Sequence, residues 1–163
     1  MSVFNGEGYL DHAIKSILNQ SYENFELLII NDGSTDNTSS IIERFSENDD
    51  RIKVYHSRNK GLIFQLNYGI ELAEGEWIAR MDADDISEKH RFRNQLTYLV
   101  DNDLDFCGTW YKVIDGEGDI RDRVETPVTH KDVTLTLARR CPFAHGSVTV
   151  SYTHLTLPTI CSV

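Results

Sequence analysis

Residues 77–85 read Trp-Ile-Ala-Arg-Met-Asp-Ala-Asp-Asp, and no other stretch constrains the chain so tightly. A short apolar run that stops at Asp82, Asp84 and Asp85 reads as a buried strand emptying into a carboxylate cluster. Three carboxylates within about 5 Å repel one another by roughly 3 kcal/mol per pair at an effective dielectric near 20. A bound cation or protonation must offset that cost. Hard divalent ions take oxygen ligands, and Mg²⁺ keeps one or two protein carboxylates while substrate phosphates fill its shell. The expectation is a metal–diphosphate site at the carboxyl end of a strand.

The rest of the chain supplies the sheet that such a strand needs. Leu10, Ala13, Ile14, Ile17 and Leu18 recur at helical spacing. Phe25-Glu26-Leu27-Leu28-Ile29-Ile30 is a strand that enters the loop Asn31-Asp32-Gly33-Ser34-Thr35-Asp36. Asp36 or Thr35 is placed to cap a helix carrying Ile41, Ile42 and Phe45. Ile52 to Tyr55 forms a short strand, and Leu62, Leu66, Ile70, Leu72 and Ala73 form a third helix closed by Gly75. After the strand Trp77-Ile78-Ala79 the spacing predicts a helix over about 88–100, then a β-rich stretch over 106–114 with a turn at Gly116 and Gly118. Repeated strand–helix units predict an α/β fold, a mostly parallel sheet with helices on both faces. Ligands of such sheets bind beyond the carboxyl ends of the strands, where Asp32 and residues 82–85 both fall.

The chain has 163 residues, 40% of them hydrophobic, which suits one domain with a real core. A net charge of −10 excludes a general nucleic-acid binder, although a metal can still bridge to an anionic ligand. Cys107, Cys141 and Cys161 are isolated and odd in number, which fits reduced thiols in the cytoplasm rather than disulfides or a zinc site. No stretch approaches the roughly 18 apolar residues of a membrane span, and no signal peptide opens the chain.

Five segments in order resemble the family 2 glycosyltransferases, with their GT-A, Rossmann-like nucleotide-sugar-binding fold. They are Val3-Phe4-Asn5-Gly6-Glu7-Gly8-Tyr9-Leu10; Ser16-Ile17-Leu18-Asn19-Gln20-Ser21-Tyr22; the loop from Asn31 to Asp36; Asn67-Tyr68-Gly69-Ile70 with Gly75-Glu76-Trp77-Ile78; and Asp82-Ala83-Asp84, which matches the family's DXD motif. The resemblance covers residues 1–150. It implies that Asp84 ligates Mn²⁺ or Mg²⁺, and that Asp82 holds the ribose or assists the metal. By the same resemblance Asp32 accepts a hydrogen bond from the base, the uracil N–H of a UDP donor, while Phe4 and Asn5 line the base pocket and Glu7 lies near the nucleoside. The implied reaction transfers sugar with inversion from a nucleoside-diphosphate sugar to a saccharide or lipid-linked acceptor. The implied setting is bacterial polysaccharide synthesis in the cytoplasm, with peripheral association of the full-length protein at the inner face of the membrane.

The match is incomplete. The family's acidic base, commonly in a Glu-Asp pair, does not follow Pro142-Phe143-Ala144-His145-Gly146-Ser147, so no catalytic residue is expected within residues 1–150. His145 is expected to shape the acceptor side of the pocket. Met1 to Asn5 resembles the latter half of a strand, and the domain is expected to be incomplete. Residues 151–163 carry no charge, and their Ser-Tyr-Thr-His-Leu-Thr-Leu-Pro-Thr core resembles translated sequencing-adapter read-through. They are expected to be a non-native tail without function.

Rival readings remain. A haloacid-dehalogenase-type phosphatase also places Asp-x-Asp after a strand, but expects Gly-Thr where this chain has Asp85-Ile86. A calcium loop starting at Asp82 fails at its sixth position, Ser87, and its twelfth, Arg93. A nucleotidyltransferase would need a basic glycine-rich loop, where Asn5-Gly6-Glu7-Gly8 is acidic. A non-catalytic nucleotide-binding fragment differs from the enzyme only in the absent base.

Overall fold

In the computed structural model, which describes residues 1–153, strands and helices alternate through the first hundred residues. The order is β1 (Ser2–Val3), α1 (Leu10–Leu18), β2 (Leu27–Asn31), α2 (Thr38–Ser46), β3 (Ile52–His56), α3 (Leu62–Leu72), β4 (Trp77–Ala79) and α4 (Arg91–Asp101). There follow β5 (Phe106–Cys107), β6 (Tyr111–Ile114), β7 (Ile120–Val124), α5 (His130–Leu137), a 3-10 turn at His145–Ser147 and β8 (Thr149–Ser151).

The core follows from two periodicities. Leu10, Ala13, Ile14 and Ile17 occupy one stripe of α1, and all four are buried. They meet Ile29 of β2 and Ile42 of α2 in a single apolar cluster. Each fully buried Leu or Ile there contributes about 1.5–3 kcal/mol of transfer free energy. Side chains alternate across a strand, so Ile30 faces the other side of the sheet. There Gly69 of α3 packs so closely that a Cβ on it would lie 3.1 Å from Ile30 Cδ1. Helices therefore cover both faces of the sheet.

β1, β2 and β3 form the parallel sheet, with Ser2 opposite Ile30 and Leu27 opposite Ile52. Pairing after β4 is antiparallel. β8 lies between β4 and β5, with Val150 opposite both Ile78 and Phe106. The helix–strand alternation does not specify this insertion, because β8 arrives from far along the chain without a periodic signature of its own. β6 and β7 form a separate antiparallel hairpin with a register irregularity at Val113 and Ile114.

Two boundaries differ from the sequence reading. α2 begins at Thr38 with Asn37 at its N-cap, one residue later than expected, while Asp36 still accepts the N–H of the first helical residue, Thr38, at 3.0 Å. α4 begins at Arg91 without a side-chain cap, so none of the three aspartates at 82–85 caps it. Cys107 and Cys141 are free thiols, while Cys161 lies outside the described residues. Ser151 ends β8 opposite Trp77, and the Tyr152 N–H donates to Glu76 O at 2.8 Å. Residues 154–163, the bulk of the tail set aside above, lie outside the described residues. Among those described, no helix is long and apolar enough to cross a membrane.

Candidate functional site

Because β1, β2 and β3 run parallel, their following loops gather at one end of the sheet. The loop after β1 is stitched to the loop after β2. Asn5, in the left-handed region at φ 52°, donates its N–H to Ser34 Oγ at 3.0 Å and accepts from the Thr35 N–H at 2.8 Å. The Gly6 N–H donates to Thr38 Oγ1 at 2.8 Å. Glu7 gives its N–H to Asp36 Oδ2 at 3.1 Å and takes the Asn37 N–H on Oε2 at 3.0 Å. The polar atoms of Asn5 and Glu7 thus shape the loops, a task that sequence reasoning did not assign to them. Phe4, just before Asn5, is 51% exposed, so its ring faces solvent rather than the core.

Asp32, directly after β2, is 3% exposed. Its Oδ1 accepts the Lys60 N–H at 2.8 Å and a very short bond from Gln65 Nε2, and its Oδ2 accepts the Gly61 N–H at 2.9 Å. Burial pushes this carboxyl up, but the Lys60, Gln65, Gly61 and Ser57 donors outweigh it and hold Asp32 below the usual carboxylate range. A carboxylate offers about four lone-pair sites. The Lys60, Gly61 and Gln65 donors take three of them, and the Ser57 hydroxyl is a fourth donor beside the group. Gln65 is fully buried, also donates to Ser57 Oγ at 2.5 Å, and keeps its own Oε1 unpartnered among the described residues.

The third group follows β4. Arg80 clamps Asp82 in a bidentate pair, Nη1 to Oδ2 at 3.0 Å and Nη2 to Oδ1 at 2.7 Å. Asp84 is exposed and makes no hydrogen bond or ion pair among the described residues. Asp85 is pushed up by burial and by the charges of Asp82 and Asp84, against a smaller pull from Arg91 and Arg80. Burial lowers Arg91 to about 10, and its guanidinium donates to Arg80 O at 2.6 Å and Gln95 Oε1 at 2.9 Å. Gly146 of the 3-10 turn faces the carboxylates: a Cβ there would overlap Asp85 Oδ2 and lie 3.0 Å from Asp82 Oδ2. His145 beside it is exposed.

The Asp32 and Asp82 groups flank β1. The Met1 amino group donates to Leu28 O of β2 at 2.7 Å and also feels the charges of Arg80 and Asp82. Among the described residues, no three His, Cys, Asp or Glu side chains gather in a metal-binding arrangement. The oxygen donors at 82–85 suit a hard cation that draws the rest of its shell from a ligand. Sequence reasoning missed Gln65, Gln95 and the contact of Gly146 with the carboxylates. Gln95 sits between Phe92 and Leu99 on the buried stripe of α4, a weak signal, whereas Gln65 is the one buried residue of α3 and carried none.

Residues 1–152 match the family model described as Glycosyl transferase family 2. An uncharacterized glycosyltransferase of Haemophilus influenzae is 44% identical over 113 residues, covering 68% of this chain and 35% of that protein. The O-antigen biosynthesis glycosyltransferase WbnJ of Escherichia coli is 36% identical over 149 residues, covering 91% of this chain and 58% of that protein. The chain therefore spans roughly a third to three-fifths of these relatives. Among solved structures, S. aureus TarS in complex with UDP-GlcNAc superposes with a TM-score of 0.60 at 26% identity, over 64% of this chain and 31% of that one. The mannosyltransferase PcManGT of Pyrobaculum calidifontis, in complex with GDP-Man and Mn²⁺, gives a TM-score of 0.67 over 92% of this chain and 42% of its own. At 16% identity that likeness speaks for the fold alone.

Proposed function

The chain belongs to glycosyl transferase family 2, and on that premise we propose that residues 1–150 bind the donor of an inverting, metal-assisted sugar transfer from a nucleoside diphosphate to an acceptor hydroxyl. The observation that carries the proposal is Asp84, an exposed and unpartnered carboxylate beside Asp82, whose own charge Arg80 already meets. A cation relieves the remaining repulsion there. Asp84, with Asp82 oriented by Arg80, would hold Mn²⁺ or Mg²⁺, and the donor diphosphate would complete the shell. When bound, the ion supplies Lewis-acid stabilisation of charge growing on the departing diphosphate.

The chain's own residues bind and orient. Asp32 would take a base N–H at Oδ2, beside the Gly61 N–H that this oxygen accepts at 2.9 Å, and Phe4 offers an exposed ring on the neighbouring loop. Asn5 and Glu7 hold that loop in shape. UDP is the preferred carrier because TarS, 26% identical, binds UDP-GlcNAc. The O-antigen role of the Escherichia coli relative supports a saccharide acceptor; a lipid-linked acceptor and peripheral work at the inner face of the membrane are further parts of this proposal. Free Cys107 and Cys141 suit a reducing cytoplasm. No carboxylate within residues 1–150 is assigned as base, so this chain is expected to bind donor without measurable transfer.

The test is a thermal-shift panel with UDP, GDP, CDP and dTDP, each with and without Mn²⁺, on the wild type and on Asp84→Ala. A ligand at 100 times its dissociation constant adds about 2.7 kcal/mol of stability. The expected result is stabilisation by UDP that needs Mn²⁺ and disappears in Asp84→Ala. A cooperative melt that no nucleotide moves would overturn the donor-site assignment, and sugar transfer by this chain would overturn the absence of a base.

A further inference from the structure

The His145–Ser147 turn is bolted in place behind the carboxylates. Ser147 is buried; its Oγ accepts the Thr109 N–H at 3.1 Å and donates to Ala144 O at 2.9 Å, and its carbonyl accepts from Gln95 Nε2 at 2.9 Å. Thr149, just beyond, donates its hydroxyl to Gln95 Oε1 at 3.0 Å. Val148 O accepts the Arg80 N–H at 2.8 Å, which ties the turn to the segment that carries Asp82. A turn held on three sides cannot retreat. A methyl group at 146 would overlap Asp85 Oδ2 and crowd Asp82 Oδ2 at 3.0 Å, whereas the Asp82 backbone nitrogen stays at an ordinary 3.6 Å. The atoms that would yield are the carboxylate ends of two side chains, Asp85 and the Arg80-clamped Asp82, rather than backbone.

We infer that Gly146 is a positioning residue for the donor site: its bare backbone is the wall against which Asp82 and Asp85 rest, and it fixes where the cation and diphosphate find those carboxylates. The inference rests on the donor-site proposal above for its functional meaning, but the placement of the carboxylates is testable without any ligand. Gly146→Ala is compared with Gly108→Ala, whose methyl would press on the same turn from its other side, 3.3 Å from Phe143 Cδ1 and 3.7 Å from Ser147 Oγ.

Three readouts separate the outcomes. In the ligand-free proteins, the carboxyl-carbon NMR resonances of Asp82 and Asp85 are expected to move in Gly146→Ala and to stay in Gly108→Ala, while both variants melt cooperatively. Affinity for Mn²⁺ with UDP is expected to fall about 10-fold in Gly146→Ala, within the range for residues that orient metal ligands, and to hold in Gly108→Ala. Unmoved carboxyl resonances, or a Gly146→Ala protein that no longer folds, would overturn the positioning role whether or not UDP binds. Unchanged affinity in Gly146→Ala beside a wild type that does bind would overturn it as well. A wild type that binds no Mn²⁺–UDP counts against the donor-site proposal, and the NMR comparison then decides the positioning role by itself.

Discussion

Asp32 shows how much one carboxylate does before any ligand arrives. It collects two backbone N–H groups from residues 60 and 61 and the amide of Gln65, and so fixes the loop after β3 against the end of β2. Asp32→Asn removes the charge and turns an NH₂ group toward donors that need an acceptor. The expected loss is about 2 kcal/mol, the usual scale for hydrogen bonds to a charged group, read from urea unfolding. The sign of the pH effect follows from the depressed carboxyl. Its contribution is present above the unfolded value near 3.9 and is lost as pH falls through the lower folded value. The wild-type urea midpoint should therefore drop more steeply below about pH 4 than that of Asp32→Asn. Parallel curves would mean that the donors around Asp32 do not stabilise its charge. The charged residues of the site were legible in the sequence, because aspartates at strand ends stand out against apolar runs. The amides were far less so: nothing in the spacing of α3 marks Gln65 as buried, and only the flanking Phe92 and Leu99 hint at Gln95.

At the scale of elements, apolar spacing located α1 and β2 because each buries a stripe or run whose period is set by backbone geometry. β3 is mostly half-buried, and β4, expected as a buried strand, has Trp77 and Ile78 half-buried and Ala79 exposed. The placement of β8 was illegible for a physical reason. A three-residue strand has too few positions to display a period, and its partners lie on β4 and β5 rather than nearby in sequence. What recruits it is polar. Gln95 on α4 reaches the carbonyl of Ser147, the hydroxyl of Thr149 and the Arg91 guanidinium at once. Gln95→Leu would fill similar space while stranding those three groups, and a buried polar group left unpaired costs about 1–3 kcal/mol. The expected fall in melting temperature is about 6 °C for a chain of this size. A leucine variant that melts with the wild type would show that β8 is held by its strand pairing alone.

Across the whole molecule the core is unevenly distributed. The buried apolar side chains come from the segment between Val3 and Ile52, joined by Met81 and by Phe92 and Leu99 of α4. From residue 100 to residue 141 no described residue is buried, although Trp110, Tyr111, Val113, Ile114 and Ile120 are large and apolar. The β6–β7 hairpin therefore rests mainly on its own ladder, on local contacts such as the Trp110 Nε1 bond to Thr126 O at 3.1 Å, and on one exposed ion pair from Lys112 to Glu88. A two-stranded hairpin is marginally stable at best in water. Local opening free energies track buried apolar contact, so the two halves should not share one stability. Native-state hydrogen exchange should find the amides of β2 protected up to the global unfolding free energy. Those of β6 and β7 should exchange through local openings that urea barely accelerates, since opening a solvated hairpin exposes little new surface. Equal protection and equal urea dependence in β2 and β7 would instead make the hairpin part of the same cooperative unit as the β1–β3 sheet. Strain introduced near Trp110 would then reach Asp32 and Asp82 through the fold itself.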